Sequence, residues 1–345
     1  MKKWNFGIIG AGLIADFHAK AIQSLPNTRL IGICGSNTDK VKNLTEKYMC
    51  KAFSDYGEML ISDDIDIVTI ATPSGAHMEP TIEAARNGKH VICEKPLEIS
   101  LDRIDRMIAA HAQAGTKLGG IFNFRFNDSL KYIKGAIDKG RFGTITYAAV
   151  HVPWWRNEDY YKGSWHGTEK LDGGGALMNQ SIHMIDILQY LMGPIDSLQA
   201  YTATLGHNIE VEDTGVAVLR FKNRALGMIY GSTASFPGQF RRLEITGTKG
   251  TVIQVENSFK VWQFIDQTDQ DNEIFNKFNK IYGGGGVSDP GAIPFEPHAS
   301  NIAAFIESIE ANRPFEIDGH EARKAVEIIL AIYASSKEGE PFCFK

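Results

Sequence analysis

Through residue 121 the chain alternates short apolar runs (FGIIG, RLIGIC, IDIVTI, HVIC, KLGGIF) with longer segments of helical period such as LIADFHAKAIQSL and SLDRIDRMIAAHAQAG. The short runs lack the polar alternation of a half-solvated strand, so each must be covered on both faces, as the strands of a parallel sheet are. Strand alternating with helix predicts an open, doubly wound sheet, and such sheets bind ligands beyond the carboxyl ends of their strands, where strand order reverses. The first such end reads Gly10-Ala11-Gly12-Leu13-Ile14-Ala15, a GxGxxA pattern between a strand and a helix. Gly10 permits a tight turn, Gly12 lets backbone approach a pyrophosphate, and the small Ala15 lets helix pack on strand, while the helix N-terminus favours an anion. Gly10, Gly12, Leu13 and Ile14 are therefore candidate dinucleotide contacts.

After residue 140 the period changes. TITYAAVHV, SLQAYTATL, TGVAVLRF, ALGMIYGSTAS, RLEITG and TVIQVE are successive strands, several alternating with period two, joined by short turns such as KNR and GTKG. The helical DGGGALMNQSIHMIDILQYLMG precedes most of them. The expected fold class is α/β: an N-terminal doubly wound Rossmann domain over residues 1–123, then an α+β domain over 124–345 built on a large, mainly antiparallel open sheet.

At 345 residues a prior of about two domains is reasonable. The net charge is -5, and Lys and Arg are scattered rather than massed, which argues against nucleic acid or anionic membrane as the partner and for a small ligand. The four cysteines, Cys34, Cys50, Cys93 and Cys343, are far apart and form no CxxC pair, so neither a zinc site nor a disulfide framework is indicated and no metal is expected. No apolar run reaches membrane-spanning length. The N-terminus enters a strand by Asn5 or Phe6 with no room for a secretory signal, so a cytoplasmic location is expected.

An NAD-selective site of this kind expects Asp or Glu at the tip of the second strand, about twenty residues beyond the glycine loop, to bind the ribose hydroxyls. This chain has ICGSNTDK there. No carboxylate at the tip repels a 2′-phosphate, and Ser36, Asn37 and Lys40 are donors to one, so NADP is favoured over NAD. The competing reading makes these residues a helix cap and its surface. Thr72, Pro73 and His77 follow the strand IDIVTIA in a loop long enough to wall the cofactor. Glu94, Lys95 and Pro96 follow HVIC, which puts an ammonium at the sheet rim facing the reacting end of a nicotinamide.

These motifs resemble the glucose-fructose oxidoreductase and inositol 2-dehydrogenase family over nearly the full chain: GxGxxA at 10–15, ATPSGAH at 71–77, GKHVICEKPL at 88–97, GGGALMNQSIHMIDIL at 173–188 and AIYASSKEG near the C-terminus. The resemblance implies a dinucleotide-binding domain followed by an α+β domain whose open sheet makes oligomer contacts, in a homodimer or homotetramer. It also implies a cis bond before the proline of EKP, here Lys95-Pro96. In that family the EKP lysine and a histidine on the second domain's long helix act together, and those roles carry to Lys95 and His183. Glu94 resembles the glutamate that helps hold the nicotinamide ribose and orients the lysine.

The residues suit that chemistry. Removing hydride from a carbinol carbon requires a base for the hydroxyl proton and a cation for the developing alkoxide. Asn179, His183 and Asp186 are spaced to share one face of a helix. Inositol dehydrogenases carry Asp where this chain has Asn179, and asparagine there is similar to members acting on nucleotide-linked or otherwise modified sugars. Arg125, Arg156 and Trp165 are further substrate-binding candidates: aromatic faces stack on sugars and guanidinium pairs with carboxylate or phosphate. Trp154, Trp155, Tyr160, Tyr161 and His166 lie in the same segment as Trp165, with packing as the competing reading, and Gly283–Gly286 is a rim loop or a linker. The expected activity is hydride transfer between NAD(P) and a hydroxyl or keto carbon of a carbohydrate or polyol. The alternatives within the family are a glycosidase that uses transient oxidation by held NAD and a sugar-sensing regulator that binds dinucleotide without catalysis. Retention of both Lys95 and His183 favours catalysis.

Overall fold

The computed structural model describes residues 2–280 and 294–345; the Gly283–Gly286 run lies outside the described residues. The elements in chain order are β1 (Trp4–Ile9), α1 (Leu13–Ser24), β2 (Thr28–Cys34), α2 (Thr38–Tyr48), β3 (Lys51–Ala52), α3 (Tyr56–Leu60), β4 (Ile67–Ile70), α4 (Met78–Arg86), β5 (His90–Cys93), α5 (Leu101–Ala114) and β6 (Leu118–Gly120). There follow α6 (Asp128–Asp138), β7 (Ile145–Pro153), α7 (Glu158–Tyr161), a π-helical turn (Ala176–Ser181), α8 (Ile182–Met192), β8 (Ile195–Ala203), β9 (Thr214–Phe221) and β10 (Leu226–Ser232). Last come β11 (Arg242–Gly247), β12 (Gly250–Val255), β13 (Ser258–Phe264), α9 (Asp269–Phe278), α10 (Glu296–Glu310), α11 (Gly319–Glu338) and β14 (Phe342–Cys343).

Six parallel strands in the order β3-β2-β1-β4-β5-β6 form the first sheet, so strand order reverses between β1 and β4. All five predicted strands are present. The added β3 is two residues long, too short to carry a period. Burial explains the continuous apolar runs: every residue of β4 and β6 is buried, and in β5 only His90 is less than buried. Helix ends follow local chemistry. Ser100 accepts the Arg103 N–H at the start of α5, and Gly115 closes the helix in the left-handed region.

The chain divides into two compact units: Met1–Asn123 with Lys170–Gly173 and Pro294–Val326, and Phe124–Glu169 with Gly174–Ile293 and Glu327–Lys345. This differs from the simple division into 1–123 and 124–345, and the reason is side-chain pairing remote in sequence. Within the first unit α10 packs on α1. Asn301, fully buried, accepts the Phe122 N–H at 3.2 Å and donates to the Gly120 carbonyl at 3.3 Å, which satisfies the backbone at the end of β6. Phe305 and Phe315 stack edge to face at 5.2 Å and occupy the space that a side chain on Gly119 would need.

The second unit holds an eight-stranded sheet in the order β13-β12-β11-β7-β10-β9-β8-β14. It is antiparallel except where β7 and β10 run parallel. Along β9 Gly215, Ala217, Leu219 and Phe221 are buried while Val216, Val218 and Arg220 are exposed. The sequence pattern missed β13 and β14. It also read 172–193 as one helix, whereas the structure has an irregular Asp172–Gly175, the π-helical turn and only then α8. Among the described residues no helix is long and apolar enough to cross a membrane.

Candidate active site

In the first unit three loops leave the carboxyl ends of the neighbouring strands β1, β4 and β5, and these are the predicted cofactor segments. Gly10 has φ +120°, and a Cβ there would lie 2.3 Å from the Ala71 carbonyl oxygen, so the ends of β1 and β4 can adjoin only with glycine at this place. Gly12 is the N-cap of α1, with no side-chain cap, and a Cβ built on it meets nothing within 4 Å. An open face above an uncapped helix N-terminus fits a pyrophosphate. Leu13 is 56% exposed and Ile14 half-buried, so apolar surface borders that space. Ser36, Asn37 and Lys40 are all exposed at the tip of β2. Asn37 caps α2, accepting the Lys40 N–H at 2.9 Å.

The loops after β4 and β5 are tied together by His77, which is buried. Its Nδ1 lies 3.0 Å from the Pro96 carbonyl oxygen and its Nε2 2.9 Å from that of Thr72. His77 thus holds the backbone of both loops, with Thr72 and Pro73 half-buried beside it. The Lys95-Pro96 bond is cis.

Glu94 is buried, and its Oε1 lies 2.8 Å from His18 Nε2 and 3.5 Å from His298 Nε2. Burial opposes its ionisation, but the hydrogen bonds and charge of the two imidazoles outweigh burial and hold the carboxyl well below the usual carboxylate range. Asn123 Nδ2 lies 3.1 Å from His298 Nδ1, and the other Glu94 oxygen accepts the Lys95 N–H at 3.1 Å. The buried cluster therefore fixes the backbone from which the half-buried Lys95 projects. His18 and His298 lie 280 residues apart in sequence and no local motif links them.

In the second unit the decisive segment is 174–189. Every residue in it is buried except Asn179 and His183, which are half-buried. The π-helical turn runs directly into α8, so Asn179 and His183 are the two side chains of this segment that reach out of the interior; π-turns of this kind are frequent at functional sites. His183 stacks on Phe124 with ring centroids 4.5 Å apart, and the Arg241 guanidinium lies 3.7 Å from the Phe124 centroid. Asn179 Nδ2 lies 3.3 Å from His166 Nδ1, and His166 stacks on Tyr160 at 4.5 Å. Phe124 and Arg241 gave no sequence signal. His166 and Tyr160 stood among the aromatics that sequence could not divide between packing and contact.

Arg125 was expected at the substrate. Here it is closed on Asp186 by two hydrogen bonds of 2.7 and 2.5 Å, both side chains buried, and it lies over Tyr190. Its observed part is to tie the chain before α6 to α8, and Asp186 faces Arg125 within the interior. Arg156 is likewise buried, donates to the Trp155 carbonyl at 2.9 Å and lies over Trp154 and Tyr160. Trp165 is half-buried against His166 at 3.9 Å.

The glycine run 173–175 has its own reason. A Cβ on Gly175 would lie 1.7 Å from the Glu212 carbonyl oxygen, and one on Gly174 would lie 2.2 Å from the Tyr333 hydroxyl. Glu212 is buried, and burial pushes its carboxyl up to about 7 against the pull of the Leu177 and Gly175 N–H groups and the Tyr333 hydroxyl.

The first unit has the glycine turn and strand-order reversal of a dinucleotide-binding sheet, and comparison with known proteins defines the class of the chain. Residues 4–121 match the model of an oxidoreductase family with an NAD-binding Rossmann fold, and residues 130–253 match the GFO/IDH/MocA C-terminal domain. The chain belongs to this family and is an NAD-binding oxidoreductase. It is similar to the uncharacterized oxidoreductase YrbE of Bacillus subtilis, 33% identical over 71% of this chain and 72% of that protein. It is also similar to the myo-inositol 2-dehydrogenase of Thermotoga maritima, 28% identical over 97% of this chain and 96% of that one. A crystal structure of the WlbA dehydrogenase from Bordetella pertussis in complex with NADH and UDP-GlcNAcA is 32% identical, with a TM-score of 0.91, covering 100% of this chain and 98% of that one.

The Arg125–Asp186 pair gives a direct test of the packing behind the site. Asp186→Ala removes the carboxylate that two hydrogen bonds hold against the buried guanidinium and is expected to cost about 3–5 kcal/mol in urea unfolding, while Arg125→Met with Asp186→Leu recovers most of that loss. Additive losses in the double variant would show that the two side chains are not coupled.

Proposed function

We propose that the protein is an NAD(P)-dependent dehydrogenase of a sugar, sugar derivative or polyol, with nucleotide-linked sugars the favoured class. The observation that carries this reading is the exposure pattern of 174–189, where Asn179 and His183 alone reach out of a buried segment. Lys95 follows a strand end at the dinucleotide rim, as the family resemblance requires of the second group. The bound nicotinamide supplies the hydride acceptor or donor. His183 takes the hydroxyl proton as the carbon loses hydride, and the Lys95 ammonium stabilises the oxygen while it carries negative charge. Asn179 and Trp165 bind substrate, whereas Arg125 and Arg156 act as buried supports of the surrounding chain. The nucleotide-sugar preference is supported by Asn179 and by the UDP-GlcNAcA held in the 32% identical relative. Four unpaired thiols support a reducing, cytoplasmic setting.

A panel of sugars, polyols and UDP-sugars followed at the reduced-nicotinamide absorbance tests the reading. Substrate cleavage without net cofactor turnover would favour the glycosidase, and binding without turnover the regulator. Lys95→Ala and His183→Ala are each expected to lower kcat by about 10²-fold or more with dinucleotide affinity nearly intact. Wild-type turnover in either variant would remove that residue from the mechanism.

Cofactor choice lies in residues 35–40. Asn37 caps α2 through its Oδ1, which leaves the Nδ2 donors outside the cap, so Ser36, Asn37 and Lys40 are the donors proposed for a 2′-phosphate, and NADP is favoured over NAD. Lys40→Ala should weaken NADP far more than NAD. A wild-type preference for NAD of about tenfold, worth about 1.4 kcal/mol, would overturn the assignment.

The outward face of the large sheet bears Tyr201 (73% exposed), Val218 (58%) and Leu226 (54%), with Val216 directly opposite both Tyr201 and Tyr230 and the polar Gln199 and Arg220 interspersed in the strand register. Exposed large apolar side chains clustered on one face mark an interaction surface, and we assign it to a second copy in a homodimer or homotetramer. Light scattering is expected to give a multiple of 38.2 kDa, and Val218→Arg to shift the protein toward the monomer. A wild-type mass of one chain would rule the assembly out.

A further inference from the structure

Glu212 occupies the turn before β9, and three consecutive N–H groups at the entry to the π-helical turn end on it. Gly175 N–H donates to Oε2 at 2.9 Å, Leu177 N–H to Oε1 at 2.8 Å, and Ala176 N–H to the Glu212 main-chain carbonyl at 3.0 Å. The Tyr333 hydroxyl, from α11, donates to Oε1 at 3.0 Å. Gly174 and Gly175 lack the Cβ atoms that would collide with the Tyr333 hydroxyl and the Glu212 carbonyl. The whole device lies in one compact unit and uses no residue assigned above to cofactor or substrate.

We propose that Glu212 is a positioning residue for His183, holding the chain in the π-helical register that presents Asn179 and His183 together. The inference rests on the catalytic reading of His183. Its physical basis is that a π-turn is the rarer arrangement, which the sequence around it must impose. If residues 176–181 relaxed to the α-register of the following helix, one residue would be taken up and the side chains upstream of α8 would turn by about 100° around its axis. Fixing 175, 176 and 177 at once prevents that slip. A helix cap needs only one or two of the orphan N–H groups satisfied; three successive donors on one residue, with a hydroxyl from another helix on the same carboxylate, specify register as well.

The test uses the full chain, with Glu212→Gln and Tyr333→Phe. Glutamine keeps the shape but turns an NH2 toward a backbone donor. The readouts are the ring resonances of His183 in histidine-labelled protein, assigned with His183→Ala, together with kcat and KM on UDP-GlcNAcA and NADH affinity by fluorescence. We expect Glu212→Gln to shift the His183 resonances and lower kcat by about 10- to 100-fold, as misplacement of a reacting group does, with NADH affinity within about twofold of wild type. Tyr333→Phe keeps both backbone bonds and should act in the same direction, with a loss of about two- to fivefold. Unmoved His183 resonances in folded Glu212→Gln overturn the inference, as does a loss confined to NADH affinity. If Glu212→Gln does not fold, the same resonances in Tyr333→Phe decide. Full activity of His183→Ala would instead defeat the catalytic reading, and the resonances would still report whether Glu212 sets the ring. Should UDP-GlcNAcA not be turned over, they decide alone.

Discussion

A parallel sheet with apolar side chains on both faces leaves neither face to water, and the architecture of the first unit follows from that constraint. The strands β1, β4, β5 and β6 are nearly all buried, yet α1 to α5, which lie between the strands in sequence, are not the only cover. The chain returns after residue 293 to place α10 on α1 and the fully buried Asn301 on the backbone ends of β6. Burial of apolar area drives the return, at roughly 25 cal/mol per Å². The hydrogen bonds of Asn301 set where it stops, because an unpaired buried peptide group costs more than a made bond contributes.

Several of the ionisable groups buried among the described residues are satisfied by specific partners. Glu94 sits between His18 and His298, Arg125 closes on Asp186, and Glu212 gathers backbone N–H groups and a tyrosine hydroxyl. Each lies directly behind a segment assigned to the reaction. Buried polar groups have few geometries that satisfy them, so they fix backbone position more narrowly than apolar packing does. That narrowness suits a reaction in which a proton and a hydride must leave neighbouring atoms of one carbinol.

Family membership and NAD binding leave open which carbohydrate the enzyme takes. Members of one fold family differ in the residues around the reacting carbon. In this chain Asn179, which we propose to bind substrate, has His166 as its neighbour, and Tyr160 stacks on that imidazole. This small aromatic and amide cluster, rather than the glycine loop, is where a preference for a particular sugar would be written.

What the sequence alone determined was whatever depends on local period and backbone permission. Continuous apolar runs declared the five longer parallel strands, and GxGxxA declared the turn at β1. EKP and GGG declared the family and, through the resemblance, nominated Lys95 and His183 for the proposed chemistry. Tertiary structure decided the rest. Arg125 reads as a substrate-binding candidate in FNFRFN, and only the fold brings Asp186, 61 residues on, against it. His77 reads as a wall residue, and only the adjoining loops show both its nitrogens on backbone carbonyls. The π-helical turn was read as helix because apolar spacing does not distinguish one more residue per turn. The partners that impose it, Glu212 and Tyr333, come from other elements. Local sequence encodes which conformations a segment can adopt, whereas the choice between two helical registers depends on hydrogen-bond acceptors that reach the segment only once the chain has folded.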